Sequence, residues 1–280
     1  MIGTLYGSES YGVRYTVRNE VPTGMAIERS GTGDPVRSMA LLWRGPEREG
    51  RDSREGRESR TGLSVDRIVA AAVALADGEG LAALSMRRVA ERLGVGAMSL
   101  YTYVPGKGEL VDLMIDQVLG ELDRPEQPGG WRARLDHVAH ANLALYQRHP
   151  WLLQVNTARP PMGPNLVAKY DYELGALEGT GLSDVEMDTL LTAVLAYVSG
   201  AATAAVQAAA APAQSGMTDE QWWAAQAPLL EKVFDAARFP LAARVGAAAG
   251  EAYGLADPAY AFEFGLQRLL DGIAAFVASR

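Results

Sequence analysis

The stretch that most limits what this chain can fold into runs from Leu84 to Val104, Leu-Ser-Met-Arg-Arg-Val-Ala-Glu-Arg-Leu-Gly-Val-Gly-Ala-Met-Ser-Leu-Tyr-Thr-Tyr-Val. Ser85 is placed to cap a helix, because its hydroxyl can accept a free amide of the first turn. Val89, Ala90 and Leu93 then recur at helical spacing. Gly94 stops the helix, since glycine alone takes the left-handed conformation cheaply. A second short helix follows, with Val95, Leu100 and Val104 turned inward. Its other face carries no carboxylate, which is unusual for a solvated helix. Two short helices across a tight glycine turn form a helix-turn-helix, whose second helix enters a DNA major groove.

Flanking helices complete a head over residues 63–124. Ser64 opens a helix to Gly78, with Ile68, Val69, Ala72, Val73 and Leu75 on the core stripe. Pro105-Gly106 breaks the chain, and a longer helix runs from Lys107 to Leu122 with Leu110, Leu113, Met114, Val118 and Leu122 inward. From Leu63 to Leu122 the chain resembles the DNA-binding domain of the tetracycline-repressor (TetR) family of bacterial transcriptional regulators. The Leu93-Gly94-Val95 turn, Leu100-Tyr101, and Lys107 with Leu110 beyond it carry the resemblance. It implies that the Lys107 helix links the head to a ligand domain and that its movement changes the separation of two heads.

The resemblance also implies the DNA contacts. Arg87 matches a base- or phosphate-contacting position. Ala97, Met98, Ser99, Thr102 and Tyr103 match the recognition face, and Tyr101 and Lys107 match phosphate contacts. The residues themselves leave another reading open, in which Met86 and Met98 are core and Tyr101 packs on the head's first helix. No Asn, Gln or Arg stands in the recognition face, so thymine methyl contacts and backbone positioning carry more of the readout than usual. The implied partner is double-stranded operator DNA. Dimer symmetry would make it roughly palindromic, with heads about one helical turn apart.

Pro125, Pro128, Gly129 and Gly130 mark the boundary to a second domain, 125–280. Helices are expected from Trp131 to Arg148, from Asn165 to Glu178, from the capping box at Ser183 to about Ala211, and from the box at Thr218 to about Ala237. Pro212 to Met217 reads as a loop, 239–256 is less defined, and Asp257-Pro258 starts the last helix. No segment alternates with period two, so the fold class is all-α. The 183–211 and 257–279 helices are apolar on more than one side, as a homodimer interface requires. Trp131, the Arg159-Pro160-Pro161 turn and the Phe-rich last helix give a looser resemblance to the family's C-terminal domain. That implies dimerisation as a four-helix bundle around an effector site.

Candidate effector residues are His140, Asn142, Tyr146, Asn156, Tyr170, Tyr197 and Trp223. Tetracycline-binding members hold a magnesium–drug chelate through a histidine before the Arg-Pro turn and acids from the long helix. Here that region reads Gln154-Val155-Asn156-Thr157, and Leu190–Ala211 contains no acid. Magnesium wants oxygen ligands, usually with a carboxylate. The expected effector is therefore a small apolar molecule, with no metal and no cofactor. His137 and His140 stand one turn apart without the glutamate of a zinc-protease helix, and no nucleophile elbow, phosphate loop or dinucleotide fingerprint is present. The other function class is a helical small-molecule-binding protein or enzyme that retains a vestigial head.

A net charge of −8 is unusual for a DNA binder, which needs local positive charge. Residues 1–62 read as a mostly disordered, solvated arm. A short helix at 34–44 is signalled by Asp34-Pro35, with Val36, Met39, Ala40 and Trp43 on one stripe. It either docks or forms transiently. The Arg-rich run to Arg60 could follow a minor groove, against its own interleaved acids, and Met25 and Met39 are both candidate start sites. The uncharged run Thr189–Thr218 reads as a buried helix of a soluble, cytoplasmic protein; it is too rich in Ala, Gly, Ser and Thr for a bilayer span.

Overall fold

A computed structural model describes residues 28–44, 62–126 and 129–280. The Arg-rich run 45–61, Met25, and Pro128 of the expected boundary lie outside the described residues. Among the described residues the secondary structure is helical, with a single isolated bridge between Arg29 and Asn156.

The head forms as its local signals dictate. Helix α1 spans Pro35–Leu42 and α2 spans Val65–Glu79. A 3-10 turn at Leu81–Ala83 leads into α3, Met86–Leu93, where the Ser85 hydroxyl accepts the Arg88 amide at 3.2 Å. Gly94 ends α3 at φ +69°, and α4 follows at Ala97–Tyr101. Ile68, Ala72, Val89, Leu100 and Val104 close the core between them, each fully buried.

Helix α5, Lys107–Leu119, has no solvent stripe. It is packed by α1, α2 and α7 (Pro164–Leu174), and Leu110, Val111, Leu113, Met114, Ile115 and Val118 are all buried. Three carboxylates are buried with them, two aimed at the segment that carries α1 and one at α7. Glu109 accepts the Asp34 amide at 2.9 Å. Asp112 accepts the Gly31 amide at 2.9 Å and the Ser38 hydroxyl at 3.2 Å. Asp116 accepts the amides of Asn165 and Leu166 at 3.1 and 3.0 Å, at the N-terminus of α7, where free amides and the helix dipole favour an anion.

The C-terminal half starts with α6, Trp131–Arg148, and a 3-10 turn at Pro150–Gln154. Trp151, Leu152 and Val155 join the core of the head. His149 lies between Asp77 at 2.8 Å and Glu121 at 3.0 Å, so packing continues across the expected boundary. Helices α8 (Asp184–Ser215) and α11 (Pro258–Ala278) enclose a second core with α6, built on Leu135, Val138, Leu191, Val194, Val198, Leu266 and Leu270. Between them α9 (Asp219–Val233) and α10 (Pro240–Tyr253) bury no residue.

Several expectations are corrected. Residues 28–33 are docked rather than solvated; the 34–44 helix takes the docked one of its two open readings, but α1 turns Ser38, Leu41 and Leu42 inward while Val36, Met39 and Trp43 stay exposed. The carboxylates of α5 fix its orientation against its hydrophobic stripe. Helix α7 ends at Leu174, because Ala176 and Leu177 must turn into the core. Helix α8 continues through Pro212, which removes one bond near its end, and stops at Gly216 with φ +71°. Helix α9 stops at Val233, and Asp235 then caps a turn through the amides of Ala237 and Arg238. Only Leu191, Val194, Val198 and Ala202 of α8 are buried, so the helix is not covered by its own chain.

Desolvation raises the pKa of Asp112 and Asp116, against the hydrogen bonds that lower it. A carboxyl with a raised folded pKa binds its proton more tightly folded than unfolded, so ionisation removes stability as pH rises from the unfolded value through the folded one. Asp112→Asn deletes one such titration. Its melting temperature relative to the parent should therefore climb as pH rises from about 4. A constant difference across that series would mean that Asp112 is solvated.

Candidate functional site

The face of α4 is presented to solvent. Met98 is 79% exposed and Tyr101 44%, and Ser99 and Thr102 are exposed beside them. Met86 is core and Met98 is not, which separates the two methionines. Ala97 and Tyr103 are half-buried against the head's core and back this face more than they form it. The turn at Gly94 and the buried anchors Leu100 and Val104 hold α4 rigidly, so its outward side chains are positioned by packing.

Three cations beside this face, Arg87, Arg88 and Lys107, are each held by a carboxylate. Arg87 is exposed and donates to Glu91 at 2.8 Å, one turn along α3. Arg88 donates to Glu79 of α2 at 2.5 Å. Lys107, the first residue of α5, donates to Glu28. Sequence reasoning missed these pairings. Only Arg87 and Glu91 were adjacent enough on one helix to be read together.

The effector candidates divide into separate contacts. Asn142 and Tyr146 belong to one buried polar network. Asn142 donates to Glu173 at 2.6 Å, Lys169 donates to the other oxygen of Glu173 at 2.6 Å, and Tyr146 lies near that carboxylate. Burial and the nearby Glu173 raise the Tyr146 pKa. Lys169 and Glu173 were missed, although their spacing of four on a helix with an apolar face was a usable signal.

His140 and Tyr197 meet around Phe262. The imidazole contacts its ring edge-on and reaches Glu263 at 2.7 Å, while Tyr197 stacks on the same ring and donates to the Phe262 carbonyl at 2.8 Å. Burial lowers the His140 pKa, but hydrogen bonds to Asp136 and Glu263 outweigh this and raise it. Tyr170 donates to Asp188 at 2.7 Å. Asn156 is exposed and engaged with the 28–30 segment, and Trp223 stacks on Trp222 on the unburied α9. A cavity of about 320 Å³ lies instead where α1, α2, α5 and α7 meet, lined among others by Arg44, Asp66, Asp116, Gln117 and Asn165. None of the seven candidates lines it.

Comparison with known proteins matches two family models. One describes bacterial regulatory proteins of the tetR family, over residues 68–114, and the other the tetracyclin repressor-like C-terminal domain, over residues 124–277. The chain is 45% identical to the HTH-type transcriptional repressor DrrR1 of Streptomyces coeruleorubidus, over 92% of this chain and 93% of that one. Among solved structures it is similar to apo ActR from Streptomyces coelicolor, with 30% identity, a TM-score of 0.63, and coverage of 78% and 97% of the two chains. ActR in complex with actinorhodin matches with the same identity and TM-score, over 77% and 98%.

Glu173→Ala would leave the Lys169 ammonium buried without its partner, which typically costs about 3–5 kcal/mol. Chemical denaturation should show that loss, with Glu173→Gln intermediate. An unchanged midpoint for Glu173→Ala would mean that Lys169 escapes to solvent.

Proposed function

The chain belongs to the tetR family of bacterial regulatory proteins, and we propose that it acts as a homodimer on a roughly palindromic operator and is released by a small-molecule effector. It is a helix-turn-helix transcriptional repressor of that family, and we assign the DNA-binding head to residues 63–124 and the effector and dimer domain to 125–280. Helix α5 is the observation that carries the proposal. Its first residue, Lys107, stands beside the recognition unit, and its Asp116 is seated on the N-terminus of α7. A change in the effector half that shifts α7 therefore pulls on the helix that ends at the DNA face. The effector must bind the two arrangements with different affinity, or nothing shifts.

Arg87, Met98, Ser99, Tyr101, Thr102 and Lys107 are the proposed DNA contacts, with Ala97 and Tyr103 beneath them. The effector is an apolar molecule entering beside Asn142 and Tyr146, with His140 and Tyr197 on the Phe262 side. The similarity to ActR, solved with actinorhodin, supports a small-molecule effector. Tyr170, Asn156 and Trp223 are assigned to the rim or to the partner copy. Two copies join through α8 and α11. On α8, Ala193, Ala196, Gly200 and Ala204 are exposed at helical spacing and small enough for close helix approach.

A band-shift assay with DNA flanking the protein's own coding region tests the reading, and lack of specific, salt-sensitive binding would sink it. Lys107→Ala should weaken binding to all duplexes alike and flatten the salt slope by roughly one per protomer. A changed sequence preference would instead make Lys107 a base reader. Ala196→Arg places a charge in the proposed helix contact. It should convert dimers to monomers in sedimentation equilibrium and abolish operator binding; an intact dimer would move the interface elsewhere.

A further inference from the structure

The segment 28–44 forms a strap across the junction of the two halves. At one end it is bound to the effector half. The Asn156 amide donates to the Glu28 carbonyl at 3.0 Å, the Ser30 amide returns a bond to Asn156 at 3.2 Å, and the Ser30 hydroxyl donates to the Arg159 carbonyl at 2.8 Å. Its middle lies on Glu109 and Asp112 of α5. At the other end the Trp43 indole donates to the Met162 carbonyl at 2.8 Å. The seat is close: a Cβ at Gly108 would come within 2.7 Å of the Thr32 hydroxyl and 2.8 Å of the Gly33 nitrogen. This fit places the Glu28 carboxylate on the Lys107 ammonium, with both side chains about two-thirds covered.

We propose that Glu28 is an internal competitor for operator phosphate, holding Lys107 in the DNA-free chain and giving it up when the head docks. The proposal rests on Lys107 being a phosphate contact, as in the function proposed above. A carboxylate and a phosphate oxygen offer the same ammonium an anionic acceptor, and a lysine carries one compact charge to share between them. The competitor is attached to the effector half through Asn156 and Arg159. Movement of that loop relative to α5 therefore shifts Glu28 relative to Lys107, and the strap gives the effector half a second hold on DNA affinity beside the α5–α7 contact.

The test is fluorescence anisotropy with a labelled operator duplex and four full-length proteins: parent, Glu28→Gln, Lys107→Ala and the double variant. Glutamine keeps the backbone contacts of the strap, and matching melting temperatures check this. Glu28→Gln should tighten binding by at least about twofold to thirtyfold for the two protomers together, the range that two fully exposed ion pairs span and a floor for this partly covered one. The gain should shrink as salt rises and should extend to an unrelated duplex. In the Lys107→Ala background it should vanish. If Glu28→Gln tightens binding equally there, the effect is general charge repulsion and the proposal falls. It also falls, with the DNA reading intact, if Lys107→Ala weakens binding while Glu28→Gln leaves it unchanged. A parent that binds no duplex overturns both.

Discussion

Asp116 accepts the first two free amides of α7, Asp112 holds Gly31 and Ser38, and Glu109 holds the cap of α1. All three carboxylates sit on α5, three and four residues apart, in a helix otherwise packed with Leu, Val, Met and Ile. An unpaired carboxylate there would be costly to bury, and burial does push the pKa of Asp112 and Asp116 upward. Backbone amides and one hydroxyl offset that cost with directed bonds, which apolar packing could not supply. The result is positional. The strap at residues 31–38 and helix α7 are indexed to one helix, and neither can slide along it there without uncovering a charge.

The rest of the C-terminal half shows the opposite condition. Helices α9 and α10 bury nothing, and α8 buries four residues of thirty-two. By length and composition α8 could even cross a membrane, with only 22% of its most apolar window buried. Exposed apolar surface on this scale needs a cover. In a family of helix-turn-helix repressors the economical cover is a second copy, because a two-fold pairing of heads is also what a palindromic site requires. In the proposed dimer the exposed faces of α8 and α11 serve association, while their inward faces form the core with α6.

The legible parts of the chain were those set by neighbours in sequence. Ser85, Gly94, Ser64, Trp131 and His149-Pro150 mark helix ends through capping and chain stiffness, and each end lies where those signals put it. The outward side of α4 was legible for the same reason at Met98, Ser99, Tyr101 and Thr102, since a helix turn fixes which residues point out, but not at the half-buried Ala97 and Tyr103. What escaped was set by tertiary partners. The stripe of Val36, Met39 and Trp43 gave the wrong inward face for α1, because hydrogen bonds to α5 outweighed hydrophobic patterning. Glu109, Asp112 and Asp116 shared a face at helical spacing, but spacing alone does not tell a solvated stripe from a buried one. The effector residues were the least legible. Asn142 lies in a buried network whose other members, Lys169 and Glu173, come from a helix distant in sequence, so no local signal joins them to it.

Electrostatics connect these observations to DNA binding by an acidic protein. The net charge of −8 opposes approach to a polyanion, and Arg87, Arg88 and Lys107 are each already satisfied by a carboxylate of the same chain. In the proposed complex a phosphate replaces an internal acceptor at such a cation, so the gain is a difference between two similar contacts. Sequence-independent affinity is correspondingly small. What remains to favour one site is the fit of the rigid, uncharged face around Met98, Ser99 and Thr102 against base edges. Weakening the phosphate contacts lowers specific and non-specific affinity alike, so the ratio between them, which decides occupancy among many competing sites, is left to the base-edge contacts. The acidic balance and the paired cations thus set how tightly such a complex holds at a given salt concentration, and the side chains of α4 set which sequence it holds.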